Sequence, residues 1–334
     1  MHHILYHANC ADGFAAACIA RHALKGPLNL QPVQYGQPDQ MPLGKKEIIY
    51  PGDAVTYLDY TPPQETLDAF FALHGDSIPL TIIDHHATAA ERHGRDKVSG
   101  QPLEGSADTP VRFTSVFDLT RSGAGLAWDH FLPSQSGLPG LPIAIELIQW
   151  RDLGHAFDPK NGETPEIQKK AGRAVFDAIA ARLTRDSLNL HAYLFRCLTR
   201  TFDAWTPLLL SSSTSLAAAL QTGYRLREID HLIILSAVAN PHWLNFHGAD
   251  IPAVNGLDAG LISDACTELL KAYPSVPFAA SWFIDAKSGN AVYSLRSRRN
   301  STVNVAEIAA AMAPGGGGHP NAAGFSTPVP IPFA

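Results

Sequence analysis

Short runs of apolar, β-branched residues end repeatedly in acidic residues or histidines. His3-Ile4-Leu5-Tyr6 leads into His7-Ala8-Asn9-Cys10-Ala11-Asp12-Gly13. Val55-Thr56-Tyr57-Leu58 leads into Asp59-Tyr60-Thr61-Pro62-Pro63, and Leu80-Thr81-Ile82-Ile83 into Asp84-His85-His86. Runs of this length, bounded by Pro, Gly and polar residues, predict buried strands. Between them, residues 14–24 are alanine-rich and residues 64–73 carry helix-forming residues, so both predict helices. A further strand is expected at 30–35, followed by a Pro- and Gly-rich loop at 36–44. The order strand, helix, strand, strand, helix, strand predicts an α/β fold: a mostly parallel, five-stranded-type sheet with flanking helices. Ligands of such sheets lie beyond the carboxyl ends of the strands, where these polar groups are delivered.

Farther along, residues 91–112 are polar and aperiodic and predict a surface excursion. Ser122 is the expected N-cap of a helix through residue 131. After a loop at 133–142, a helix at 143–150 ends in Arg151-Asp152-Leu153-Gly154. Residues 165–205 predict helices of mixed charge, and 208–240 a long helical connector weakened by serines at 211–213. Past Pro241 the pattern changes. Strands are expected at 243–246 and 251–255, a helix at 261–273, and a hairpin formed by 278–284 and 291–295. The expected organisation is a catalytic domain at 1–205, a helical linker at 206–240 and a smaller α/β domain at 241–334, with the active site in the cleft between domains.

A chain of 334 residues, 46% hydrophobic and 17% charged, has core enough for two domains. Its net charge of −6 argues against a long nucleic-acid polymer as partner. The four cysteines (Cys10, Cys18, Cys197 and Cys266) show neither metal-finger nor disulfide spacing, which points to a reducing compartment. No run reaches the length of a membrane span, and the first residues do not read as a signal peptide. A cytoplasmic protein without a membrane partner is expected.

Candidate chemistry gathers at the element ends. His7, Asp12, Asp59, Asp84, His85 and Asp152 form a set of oxygen and nitrogen donors. Taken singly, Asp12 could cap its own helix, Asp152 could pair with Arg151, and Asp84-His85-His86 could be a solvated turn. Together the six suit a Mn²⁺ or Mg²⁺ pair, one carboxylate bridging the ions; without a thiolate pair, Zn²⁺ is disfavoured. Near the carboxyl end, Pro314-Gly315-Gly316-Gly317-Gly318-His319 reads either as a flexible linker or as an anion nest. In the nest, the N–H groups of Gly316, Gly317 and Gly318 act with His319 as donors. Leu295-Arg296-Ser297-Arg298-Arg299 adds positive charge nearby, and the two together suggest a phosphate.

These residues resemble the DHH phosphoesterase superfamily over most of the chain. Residues 7–13, 58–60, 84–86 and 150–153 resemble its four motifs. Residues 315–324 resemble the signature of the DHH-associated carboxyl-terminal domain, with Arg296 and Ser297 as its substrate-contacting pair. The closest flavour is the oligoribonuclease (nanoRNase) branch. The resemblance implies a hydrolase acting on phosphodiester or phosphomonoester bonds of a short oligonucleotide or small phosphorylated nucleotide, with a homodimer as a further expectation. It implies that Asp59 bridges two Mn²⁺ or Mg²⁺ ions. Asp12, His85 and Asp152 would complete one subsite, and His7 with Asp84 would serve the other. His86 would orient the scissile phosphate or donate a proton, while Gly316–Gly318, His319 and Arg296 hold a remote phosphate. Relatives carry an aspartate where this chain has Cys10, beside Asn9, so one ion is expected to be held weakly. Polyphosphate, adenosine bisphosphate and cyclic dinucleotides remain alternative substrates, and a catalytically weak nucleotide sensor is the alternative from another class.

Overall fold

The computed structural model describes residues 1–34, 49–90, 94, 96, 113–132, 141–155, 173–197, 201–210, 213–246, 248–257, 261–286, 288–299 and 301–328. The expected loops at 36–44 and 133–142 and the excursion at 91–112 fall almost wholly outside these residues. The first sheet contains β1 (His2–His7), β2 (Leu28–Val33), β3 (Ala54–Leu58), β4 (Leu80–Asp84) and β5 (Thr114–Phe117), in the order β2-β1-β3-β4-β5. Every neighbouring pair is parallel. The fold class is therefore α/β as the pattern predicts, although the pattern did not reveal β5.

Side chains alternate along the strands, so the sheet has two apolar faces. Leu5, Tyr57 and Ile82 pack with Leu67 and Phe70 of α2 (Gln64–His74). Ile4, Tyr6, Leu58 and Ile83 face a larger core. That core is built by α1 (Ala11–Ala23), α4 (Gly123–Phe131) and α5 (Ile143–Asp152), with α6 (Arg173–Arg196) and α7 (Phe202–Leu210). A four-residue helix, α3 (Ala87–Ala90), follows β4. Ala15, Ala16, Ala17, Cys18 and Ala20 of α1 are fully buried, because small side chains let this helix lie close to the sheet and to α4.

The serines near 211 mark a boundary between helices, since α7 stops at Leu210 and α8 (Ser213–Val238) starts afresh. Helix α7 belongs to the first core through Trp205, Leu208 and Leu209, whereas α8 reaches two cores. Its Leu216 and Ala219 lie in the first, and its Ile234 and Val238 pack with α9 (Ile262–Ala272).

The second sheet has six strands in the order β10-β11-β9-β8-β7-β6. They are β6 (His242–Phe246), β7 (Ala249–Asn255), β8 (Phe278–Ile284), β9 (Ala291–Ser297), β10 (Gly317–His319) and β11 (Ala322–Thr327). Helix α10 (Val305–Met312) covers one face and α9 the other. The expected hairpin is present as β8–β9. The glycine run departs from both readings of it: Gly317 and Gly318 form part of a strand paired with β11. Among the described residues no helix is long and apolar enough to cross a membrane.

Candidate metal centre

Four strand or helix ends converge on Asp59. The residue follows β3 and adopts a left-handed backbone (φ 56°), as does Asn9 after β1 (φ 57°). Such conformations are costly for residues bearing a Cβ and cluster at functional sites. Two glycines allow neighbouring elements to approach. A Cβ on Gly123 would lie 2.6 Å from Asp59 Cβ and 2.9 Å from Asp12 Oδ2, and one on Gly13 would lie 2.8 Å from His7 Cβ. The site is therefore bounded by backbone.

Asp12 does not cap its own helix; Cys10 stands at that position without a side-chain cap. Its carboxylate instead caps α4, accepting from Gly123 N (2.5 Å) and Ala124 N (3.0 Å). The oxygens of Asp12, Asp59 and Asp152 all face His85 Nε2, at 3.7, 3.0 and 3.2 Å. On the other side of Asp59, His7 Nδ1 lies 3.3 Å from Oδ2 and His86 Nδ1 lies 3.8 Å from Oδ1. Two donor groups therefore share one carboxylate: Asp12, Asp59 and His85 form one, and His7, Asp59 and His86 the other.

The expected ligand Asp84 requires correction. Its Oδ1 accepts from His85 N (2.7 Å), His86 N (3.2 Å) and His86 Nδ1 (2.7 Å), and its Oδ2 from Thr61 Oγ1 (2.5 Å). Fully buried and engaged by these donors, Asp84 fixes His86, and His86 takes the place expected for Asp84 beside His7. Asp152 is not taken up by Arg151, which lies 3.7 Å from Asp264 instead. Among the described residues, Cys10 enters none of the donor groups.

Electrostatics separates these groups. Burial, together with Asp152 and Asp59 nearby, raises the Asp12 carboxyl well above the usual range, and burial also raises Asp152. Burial opposes ionisation of Asp59 too, but hydrogen bonds from His7 and His85 hold it well below that range. Burial disfavours charge on His85, yet Asp59, Asp152 and Asp12 together push it up to about 10. Asp84 likewise overcomes burial to raise His86. Burial drives His319 well below the ordinary imidazole value, and the neighbouring histidines add to this.

A divalent cation suits this donor set. Three carboxylates face one imidazole, and Asp152 Oδ2 is buried without a hydrogen bond. Negative charge held away from water calls for a compensating cation, and oxygen with imidazole nitrogen are the donors of Mn²⁺ or Mg²⁺.

The site opens into a cavity of about 720 Å³ lined from both sheets. His319 stacks on His86 with ring centroids 4.9 Å apart, and Gly318 N donates to Thr88 Oγ1 at 3.3 Å. Gly317 and Gly318 line the cavity, but Gly316 lies against the Ala309 backbone, where a Cβ would be 2.7 Å from the carbonyl carbon. Arg296 also lines the cavity; its guanidinium donates to Ser263 Oγ (2.9 Å from Nη2) and to Leu295 O. Ser297, the other expected contact, lines the cavity as well. Ser297 Oγ reaches Val303 O (3.2 Å) and accepts from Asn321 Nδ2 (2.9 Å), so it ties loops together. Arg298 donates to the carbonyls of Val276, Leu270 and Tyr273 and thus caps the end of α9. Thr61, Thr88 and Gly123 escaped the sequence reading, and Arg299 entered it only as part of a basic cluster. For Thr61 a signal existed, since it stands two residues after Asp59.

Residues 250–331 match the model of the DHHA1 domain. Among curated proteins none matches the chain. Several solved structures are similar to it. The DHH domain of PF0399, a member of a family of ribosomal proteins, is 15% identical, with 99% of this chain and 82% of that one covered and a TM-score of 0.55. CDC45 from Entamoeba histolytica is 9% identical, with 93% and 88% covered and a TM-score of 0.51. Exonuclease RecJ, solved bound to manganese, is 15% identical, with 98% and 85% covered and a TM-score of 0.46.

Proposed function

We propose that this chain, which has the DHH fold and carries a DHHA1 domain, is a metal-dependent phosphoesterase acting on short oligonucleotides or small phosphorylated nucleotides. The observation that carries this reading is the pair of buried donor groups sharing Asp59 at the floor of a cleft, with His319 and Arg296 facing it from the second sheet. In this reading residues 1–205, extended through α7 to Leu210, form the catalytic domain, the rest of 206–240 the linker and 241–334 the substrate-binding domain, in a cytoplasmic protein.

Asp12, Asp59, His85 and Asp152 would hold one cation, and Asp59 with His7 a second, beside His86. Mn²⁺ fits the mixture of imidazole and carboxylate best, with Mg²⁺ next. Bound there, the ions supply an activated water and neutralise charge that develops on the phosphoryl oxygens. The chain's own groups do the rest. Asp84 fixes the imidazole of His86 and favours its protonated form, so His86 would direct positive charge at a phosphate or give a proton to the leaving oxygen. His319 stays neutral against it and serves as a hydrogen-bonding wall. Arg296 holds a remote phosphate. A cavity of about 720 Å³ lined from both sheets suits a small ligand.

The test is hydrolysis of a panel comprising a dinucleotide, adenosine 3′,5′-bisphosphate, a cyclic dinucleotide and polyphosphate, with and without added Mn²⁺. Mn²⁺-dependent release of mononucleotide from the dinucleotide is expected. Tight nucleotide binding without turnover of any member would instead make the protein a sensor.

A further inference from the structure

The carboxyl end of α5, which presents Asp152, is gripped by a residue that follows β9 and lines the edge of the same cavity. Arg299 Nη2 donates to Leu153 O at 2.5 Å. Leu153 is the C-cap of α5, so the guanidinium meets a helix end, where a cation and a carbonyl partner are both favourable. The socket exists because residue 154 is glycine. Gly154 has φ 73°, and a Cβ there would overlap the guanidinium, lying 2.8 Å from Arg299 Cζ. A second contact between the sheets meets the same turn, with Arg151 Nη2 3.7 Å from Asp264 on α9.

We infer that Arg299, seated in the Gly154 socket, is a positioning residue that couples closure of the two halves to the geometry of Asp152. Docked, it completes the last turn of α5 and holds the Asp152 carboxylate toward His85. Withdrawn, it leaves that turn to water and one carboxylate of the cation site without support. Approach of the second half would then strengthen the grip on the cation before chemistry begins. The coupling to metal rests on the function proposed above, whereas the docking does not.

Arg298 provides an internal control, since its three carbonyl partners all belong to the second half of the molecule. Two measurements decide the matter on Arg299→Ala, Arg299→Lys, Gly154→Ala and Arg298→Ala. The first is amide hydrogen exchange at Leu153 and Gly154, whose N–H groups close the last turn on Gln149 O and Arg151 O. The second is calorimetric titration with Mn²⁺ alone. Arg299→Ala and Gly154→Ala should speed exchange at that turn and weaken the tighter Mn²⁺ step by about tenfold, the lower end for loss of a residue supporting a ligand. Arg299→Lys should recover part of both. Arg298→Ala should lower the melting temperature and leave both unchanged. Unaltered exchange in Arg299→Ala would overturn the docking, and faster exchange with unaltered Mn²⁺ affinity would overturn the coupling. Wild-type protein that binds no Mn²⁺ would refute the metal reading and the coupling with it, while the exchange result would still decide the docking.

Discussion

A carboxylate buried at the end of a strand has to be aimed, and most of the chemistry here lies in how each one is aimed. Asp84 stands behind His86 because Thr61, 23 residues earlier, occupies its second oxygen. Thr61→Val keeps the shape and removes that donor. It should cost about 1–3 kcal/mol of stability, the range for a buried acceptor left short of a partner, and chemical denaturation measures it. The same residues fix a pH dependence. Before metal binds, His85 is raised to about 10 by Asp59, Asp152 and Asp12 against the effect of burial. Its contribution to the metal-free fold is thus complete below about 6.5, the unfolded value, and disappears as pH rises through about 10. A cation must displace this proton, so binding at neutral pH should release at least one proton and tighten as pH rises. Titration in two buffers of different ionisation enthalpy counts it. Asp12, Asp59, His85 and Asp152 were legible in the sequence because each stands at or just past the end of an expected strand or helix. The role of Asp84 was not, because it depends on a hydroxyl that the sequence places far away.

Helix ends do double duty at the scale of elements. Asp12 sits in the first turn of α1 and caps α4, so one carboxylate joins two helices to the site. Gly123→Ala would drive a methyl group into Asp59 and Asp12. It should lower Mn²⁺ affinity at least tenfold while the far-ultraviolet circular dichroism stays unchanged. Close approach also governs the pairing of α6 with α8, where a Cβ on Gly223 would lie 2.6 Å from the carbonyl carbon of Asn189. Gly223→Ala should cost about 1–3 kcal/mol through overpacking, seen as a lower denaturation midpoint with the Mn²⁺ steps intact. Strong periodicity made β1, β3, β4, α2 and the β8–β9 hairpin readable in advance. β5 is four residues long and β10 is made of two glycines and a histidine, so neither has an apolar pattern to betray it. Both exist because a neighbouring strand offers a partner.

The two halves of the molecule close over one cavity, and the account predicts a division of labour between them. His319 belongs to the second sheet yet stacks on His86. His319→Ala should therefore raise KM for a dinucleotide several-fold more than for a minimal phosphodiester ester, because a remote contact binds what the minimal ester lacks. Equal losses on both would move His319 to the reacting centre. The cleft was foreseen from the glycine-histidine run and Arg296. The actual seating of Ser297 and Arg298 was not, because a cluster of basic and polar residues does not reveal which of them hold their own loops. Asp59 is expected to serve two cation subsites, and a calorimetric Mn²⁺ titration of the wild type beside Asp59→Asn decides whether it does. Two unequal binding steps are expected in the wild type, the weaker at the subsite of His7, with loss of affinity of at least tenfold in both steps for Asp59→Asn. A folded Asp59→Asn protein that keeps either step at wild-type affinity would contradict it.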